Sequence, residues 1–232
     1  KELLVGFEAK SPGGDVDGTP IEGRHPYMND FSVTANDEML PFEVAMVNTE
    51  DYYVQNKING LTEEEALGEN FSVNYPNFYY VYHFNVRFEP GVNKIIHTYR
   101  YHISGSVEMD FEFDYILTAA NRWANKQIDD FTLILDLGNY SDYYVSRSFF
   151  AEMENWKNGL FSEGDNLPYM YEDTAPMYVI TQEGTPTFHQ TNFHPEGELR
   201  VYKNRHHYVL MAETFDSKEL NLPYDFGSVT HL

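Results

Sequence analysis

The 232-residue sequence has no cysteine. That excludes disulfides, thiol catalysis and cysteine-ligated zinc or iron–sulfur sites. It does not fix the compartment, because bacterial envelope proteins often lack cysteine as well. Positive charge is scarce too. Only 15 Lys and Arg stand against 37 Asp and Glu, a formal net charge of -22, so a nucleic acid or an anionic lipid would meet a repulsive field. Cations and basic partners are the compatible charged ligands. No apolar run approaches the ~18 residues that a membrane-spanning helix needs, so no transmembrane segment is expected.

Motifs of specific chemistry are missing in the same way. There is no phosphate-cradling glycine loop, dinucleotide fingerprint or His-Glu-x-x-His helix. Gly105-Ser106 lacks the second glycine of a nucleophile elbow and falls in a turn between strands rather than between strand and helix. No repeat recurs at a fixed period, which excludes a solenoid or propeller.

What the chain has in quantity is tyrosine (19) and phenylalanine (17), residues that favour strands over helices. They alternate most clearly from Asn77 to Leu137. Phe78, Tyr80, Tyr82, Phe84, Val86 and Phe88 fall on one face of a strand, with Tyr79, Val81, His83, Asn85 and Arg87 on the other. Burying that first face contributes on the order of 10 kcal/mol, an upper bound before chain entropy is subtracted. Glu89-Pro90-Gly91-Val92 reads as a turn. A second segment places Ile95, His97, Tyr99, Tyr101 and Ile103 on one face. Ser104-Gly105-Ser106 turns the chain again. In a third segment Val107, Met109, Phe111, Phe113, Tyr115 and Leu117 alternate with Glu108, Asp110, Glu112 and Asp114. A polar connection around Trp123 leads to Phe131, Leu133, Leu135 and Leu137. The four segments together predict an antiparallel meander with one apolar face.

Further strands are predicted at Leu3–Phe7, at Phe31–Val33 and Phe42–Met46 about a turn at Asn36-Asp37-Glu38, and at Met177–Thr181, Thr187–Phe193, Leu199–Tyr202 and His207–Met211. The chain has no initiating methionine and begins in mid-strand, which predicts a longer natural N-terminus. Leu61–Leu67 is the best helix, with Thr62 and Glu65 spaced as a capping box. Gly138 to Ser148 is polar and tyrosine-rich, and Phe149, Phe150, Met153, Trp156 and Leu160 have spacings that suit a short helix. Glu163 to Pro176 reads as a loop. The expected fold is all-β: an antiparallel β-sandwich over residues 1–140, its first strand incomplete at the N-terminus, then a smaller β-rich part over 141–232, a subdomain or a continuation of the sandwich, with one or two short helices.

Several groups invite chemistry. The row Glu108, Asp110, Glu112, Asp114 sets carboxylates about 6.5 to 7 Å apart along one strand face, and paired carboxylates are the hardware of glycoside hydrolysis. That reaction also needs one acid raised by burial and opposed across a cleft; a solvated face, salted with Arg87, Arg100, His83 or His102 on neighbouring strands, is the plainer reading. His189, His194 and Glu196, and the adjacent His206-His207, are the densest imidazole groups, but neighbours on a strand point to opposite faces. Asp15-Val16-Asp17-Gly18 matches the start of a calcium loop, yet Thr19 follows where an Asp or Asn is needed. Tyr79, Tyr143, Tyr144, Tyr169 and Tyr171 are candidates for a sugar-stacking platform. From these residues no catalytic group, metal ligand or cofactor is assigned, and the ligand-binding residues stay open.

Pro90 to Leu137, through Tyr99, Gly105, the run Phe113-Asp114-Tyr115-Ile116-Leu117-Thr118-Ala119-Ala120, Trp123 and Ile128–Leu137, resembles a pattern in uncharacterised bacterial secreted proteins of the kind that often carry a C-terminal YARHG domain. Val5-Gly6-Phe7 and Asn192-Phe193-His194-Pro195-Glu196-Gly197-Glu198-Leu199 are similar as well. The YARHG motif itself is absent. The resemblance implies a β-rich region and a periplasmic, cell-envelope or extracellular location, and it supplies no site residues. The expected function is a non-catalytic envelope or secreted protein that binds a protein or glycan partner; the rival is a carbohydrate-active or metal-dependent hydrolase using surface carboxylates or histidines.

Overall fold

The computed structural model describes residues 1–12, 19–49, 52–68, 71–72, 76–103, 105, 109–147, 153–164, 176–181 and 185–204. The protein is all-β, built of several antiparallel sheets, none of which closes into a barrel among the described residues. It divides into two compact units, Lys1–His102 and Ile103–Leu232.

In the first unit β1 (Glu2–Lys10), β2 (Met28–Ala35), β3 (Glu38–Met39), β4 (Glu43–Asn48), β5 (Tyr53–Val54), β6 (Lys57–Ile58), α1 (Glu63–Leu67), β7 (Phe78–Arg87) and β8 (Ile95–Tyr101) follow one another. They form a sheet of order β1-β7-β4, a second of order β3-β2-β8, and the hairpin β5-β6. The face of β7 read from the sequence is the buried one: Phe78, Tyr80, Tyr82, Phe84 and Val86 are all nearly or fully inaccessible. The two sheets meet through Val33, Phe84 and Val86, with Val5, Phe31 and Ile95 around them. Phe7 adds ring contacts to Phe31, His97 and Tyr99 across the interface. The result is a small sandwich whose core is mostly aromatic.

Local sequence explains the punctuation. Asn36 and Asp37 both have positive φ and join β2 to β3 in a two-residue hairpin; Gln55 and Asn56 do the same for β5 and β6. Positive φ at both corners matches the twist of the flanking strands. Helix α1 begins on the expected capping box, Thr62 Oγ1 accepting from the Glu65 amide at 3.2 Å while Glu65 Oε2 accepts from the Thr62 amide at 2.8 Å.

In the second unit β9 (Met109–Tyr115), β10 (Ile128–Ile134), β11 (Asp142–Val145), β12 (Trp156–Lys157), β13 (Leu160–Glu163), β14 (Met177–Ile180), β15 (Thr187–Phe193) and β16 (Leu199–Asn204) make a five-stranded sheet, β13-β14-β11-β16-β9, and a three-stranded one, β10-β15-β12. Phe111, Tyr143, Val179 and Val201 of the larger sheet pack with Trp156, Phe188 and Phe193 of the smaller. A 3₁₀ helix, Thr118–Arg122, starts where Glu198 accepts hydrogen bonds from the backbone amides of Leu117 and Thr118, at 2.6 and 3.1 Å.

Two expectations are corrected. The four segments between Asn77 and Leu137 are strands, but they do not pair as a meander: β7 lies between β1 and β4, β8 pairs with β2, β9 with β16 and β10 with β15. Alternation reports which face of a strand is covered, not which strand lies beside it. The turn at Pro90-Gly91 therefore carries the chain from one sheet to the other; Gly91 has φ 97°, and Asn93 closes the loop with hydrogen bonds to Glu89 and Gly91. Second, Met153 to Leu160 is not one short helix. Met153–Asn155 is a single 3₁₀ turn and Trp156 enters β12, opposite Phe188, because its indole is needed in the core. The expected helix residues Phe149 and Phe150, and the strand His207–Met211, lie outside the described residues.

Candidate binding groove

The acidic row does not form a pair across a cleft. Glu108 lies outside the described residues. Arg200 on β16 stands directly opposite Asp114; its guanidinium donates to Glu112 and lies 4.0 Å from Asp114, and the same group sits over the Tyr202 ring. The expected partners Arg87 and Arg100 bind Glu89 and Asp30 instead. Glu112 and Asp114 thus share one fixed cation on a single strand face and are not two acids opposed across a cleft.

The histidines are dispersed. His189 bonds Asp130 and His194 donates from Nδ1 to the Lys126 carbonyl, both in the open. Among the described residues no three His, Asp or Glu side chains converge as metal ligands. Asp15, Asp17, His206 and His207 lie outside them, as do Ser104, Ser106, Tyr169 and Tyr171. Tyr143 and Tyr144 are buried rather than exposed, since β11 is the central strand of its sheet, and Tyr79 packs beside Val47, Tyr52 and Val81. These tyrosines form no platform.

One histidine passed over in the sequence is almost fully enclosed in the first unit. His25 is 1 % exposed. Nε2 donates to the Lys10 carbonyl at 2.8 Å, and the Tyr27 amide donates to Nδ1 at 3.0 Å. Both ring nitrogens of a neutral imidazole are thus satisfied, and burial pushes its pKa down to about 4. The segment it anchors is stapled to β7 by tyrosine hydroxyls, Tyr82 accepting from the His25 amide at 3.2 Å and Tyr80 from the Ile21 amide at 3.0 Å. The surroundings are rings of Tyr27, Tyr80 and Tyr101, and the role is structural.

The place where unspent polar groups gather is on the outer face of the sheet β1-β7-β4. A groove of about 590 Å³ runs there, floored by Leu4, Ala45, His83 and Asn85 and walled by Phe42, Glu43 and the hairpin residues Asn56, Lys57 and Ile58. Strand register puts Glu43 and Gly6 on either side of His83, and Leu4 beside Asn85. Gly6 carries no side chain to cover the imidazole. Burial pushes the pKa of His83 below its ordinary value, partly countered by Glu43, so the ring is neutral at pH 7. The hairpin wall is held in place: Asn56 Oδ1 accepts from the Leu4 amide at 2.9 Å and from the Tyr53 hydroxyl at 3.0 Å. Phe42, 38 % exposed, is fixed from behind by Phe31 and Tyr82, ring centroids 4.8 and 5.8 Å away. The side chains of Glu43, Lys57, His83 and Asn85 make no hydrogen bond or ion pair within 4.0 Å to any described residue.

Sequence reasoning placed His83 and Asn85 on the outward face of β7 but missed the groove. The available signal was Gln55-Asn56, two polar residues between the strand pairs Tyr53-Val54 and Lys57-Ile58, which is a two-residue hairpin pattern. A smaller pocket of about 210 Å³ lies beside α1, between Glu65, Phe71 and Phe78. No helix among the described residues is long and apolar enough to cross a membrane. Comparison with family models, with curated proteins and with solved structures finds no match to this chain.

Proposed function

We propose that this chain is a non-catalytic binding protein of the bacterial cell envelope or of secretion, and that it holds its partner in the groove of the first unit. The observation that carries the reading is the groove's lining: an open cavity of ligand size into which several polar side chains point without partners among the described residues. Its lining has one carboxylate, Glu43, where a glycoside hydrolase works with two. The resemblance of Pro90–Leu137 to secreted bacterial proteins supports the location.

The test is direct. The intact chain is titrated calorimetrically against glycan and peptide panels, alongside the variant Asn85→Arg, which fills the groove from an exposed position. Saturable binding by the wild type that Asn85→Arg abolishes is the expected result. Turnover of a glycan or ester substrate, with no binding that depends on the groove, would overturn the proposal.

A further inference from the structure

The groove's hydrogen-bonding inventory narrows its ligand. Glu43 accepts only, Lys57 donates only, and Asn85 does both. Asn56 has its oxygen committed to Leu4 and Tyr53, which leaves its Nδ2 to donate. A neutral His83 donates from one nitrogen and accepts at the other. A ligand that satisfies this mixture must offer donors and acceptors at short, repeated intervals, and a hydroxyl group is both at once. An anionic ligand would be repelled by Glu43, a cationic one by Lys57, and the two charges cancel. Phe42 adds a fixed, partly exposed apolar ring, the surface on which the C–H face of a sugar packs.

A peptide fits less well. Peptides commonly bind such sheets by adding a strand to an edge, and each strand edge bordering this groove has a backbone group already paired. The Leu4 amide on β1 is taken by Asn56, and the Met46 carbonyl on β4 accepts from the Leu61 amide at 2.7 Å. Building on the binding-protein reading, we infer that the groove takes an uncharged oligosaccharide, with a sugar ring on Phe42 and its hydroxyls bonded by Asn85, Asn56 and Glu43.

The test uses the intact chain and calorimetry with four sets of probes: short neutral oligosaccharides of glucose, mannose, galactose and N-acetylglucosamine; uronate oligosaccharides; glucosamine oligosaccharides; and an unbiased peptide library. The inference predicts saturable binding in the neutral set, insensitive to added salt because no net charge is neutralised. Phe42→Ala and Asn85→Ala each weaken it about tenfold, and Leu160→Ala, an exposed position in the second unit, leaves it unchanged. Thermal unfolding checks each variant, and Asn85→Ala, on an exposed side chain, carries the test if Phe42→Ala fails to fold. Salt-sensitive binding confined to uronates or glucosamines overturns the inference, as does sugar binding indifferent to both groove variants. Peptide binding blocked by Asn85→Arg, with no sugar bound, overturns the ligand class while leaving the binding-protein reading intact. No binding from any set overturns both.

Discussion

The backbone amide of Leu4 donates a 2.9 Å hydrogen bond to the side-chain oxygen of Asn56, tying β1 to a hairpin corner more than fifty residues away. The bond covers part of a sheet edge and joins two residues that line the groove.

Asn56 also sits at φ 62°, a conformation asparagine and glycine tolerate better than other residues. Asn56→Ala loses both the bond and the backbone preference and is expected to cost about 1–3 kcal/mol in urea unfolding. Asn56→Gly keeps the conformation and costs less. In both variants the Leu4 amide exchanges faster with solvent, which hydrogen exchange reads residue by residue.

His25 makes stability depend on pH. Its folded-state pKa of about 4 lies below the ordinary 6.5, so the fold favours the neutral ring. Its contribution is whole above pH 6.5 and is lost progressively as pH falls from 6.5 to 4, amounting to about 3 kcal/mol. Urea unfolding of the wild type across that window should show this loss, and His25→Gln, which cannot take up the proton, should flatten it. An NMR titration in which the His25 ring protonates near 6.5 would contradict the assignment.

Arg200 holds Glu112 and Asp114 together on half-buried surface. Arg200→Met leaves two neighbouring carboxylates on one face of β9 without their shared cation and is expected to destabilise the second unit by about 1–3 kcal/mol at pH 7. A double-mutant cycle with Glu112→Gln should return a coupling of about 1 kcal/mol.

Tyr143 is fully buried, and its hydroxyl has no hydrogen-bond partner among the described residues; burial drives its pKa upward. Removing an unsatisfied buried group relieves its desolvation cost. Tyr143→Phe should therefore be neutral or stabilising by up to about 1 kcal/mol, measured by chemical denaturation.

Much of the fold is legible in the sequence because burial leaves a periodic mark. Phe78 to Val86 alternates, and those side chains are inside; Thr62 and Glu65 are spaced for a cap, and they form it. Strand partners are not legible, since β7 joins β1 and β4 through contacts remote in the chain and an alternating pattern is the same whichever strand lies alongside. Tyr143 and Tyr144 show a second limit: in a polar stretch they read as exposed, and only the central place of β11 buries them. The groove was hidden for the same reason as the pairing. Leu4, Phe42, Asn56 and Asn85 come from four separate segments, and none belongs to a recognisable motif.

The account turns on whether ligand enters the groove of the first unit. The most direct measurement is a backbone amide NMR titration of the intact chain with a neutral oligosaccharide that binds it. Shifts confined to Leu4, Glu43, Asn56, Lys57, His83, Asn85 and their immediate neighbours are predicted. Shifts clustered instead in the second unit, with those amides unmoved at saturation, would contradict it.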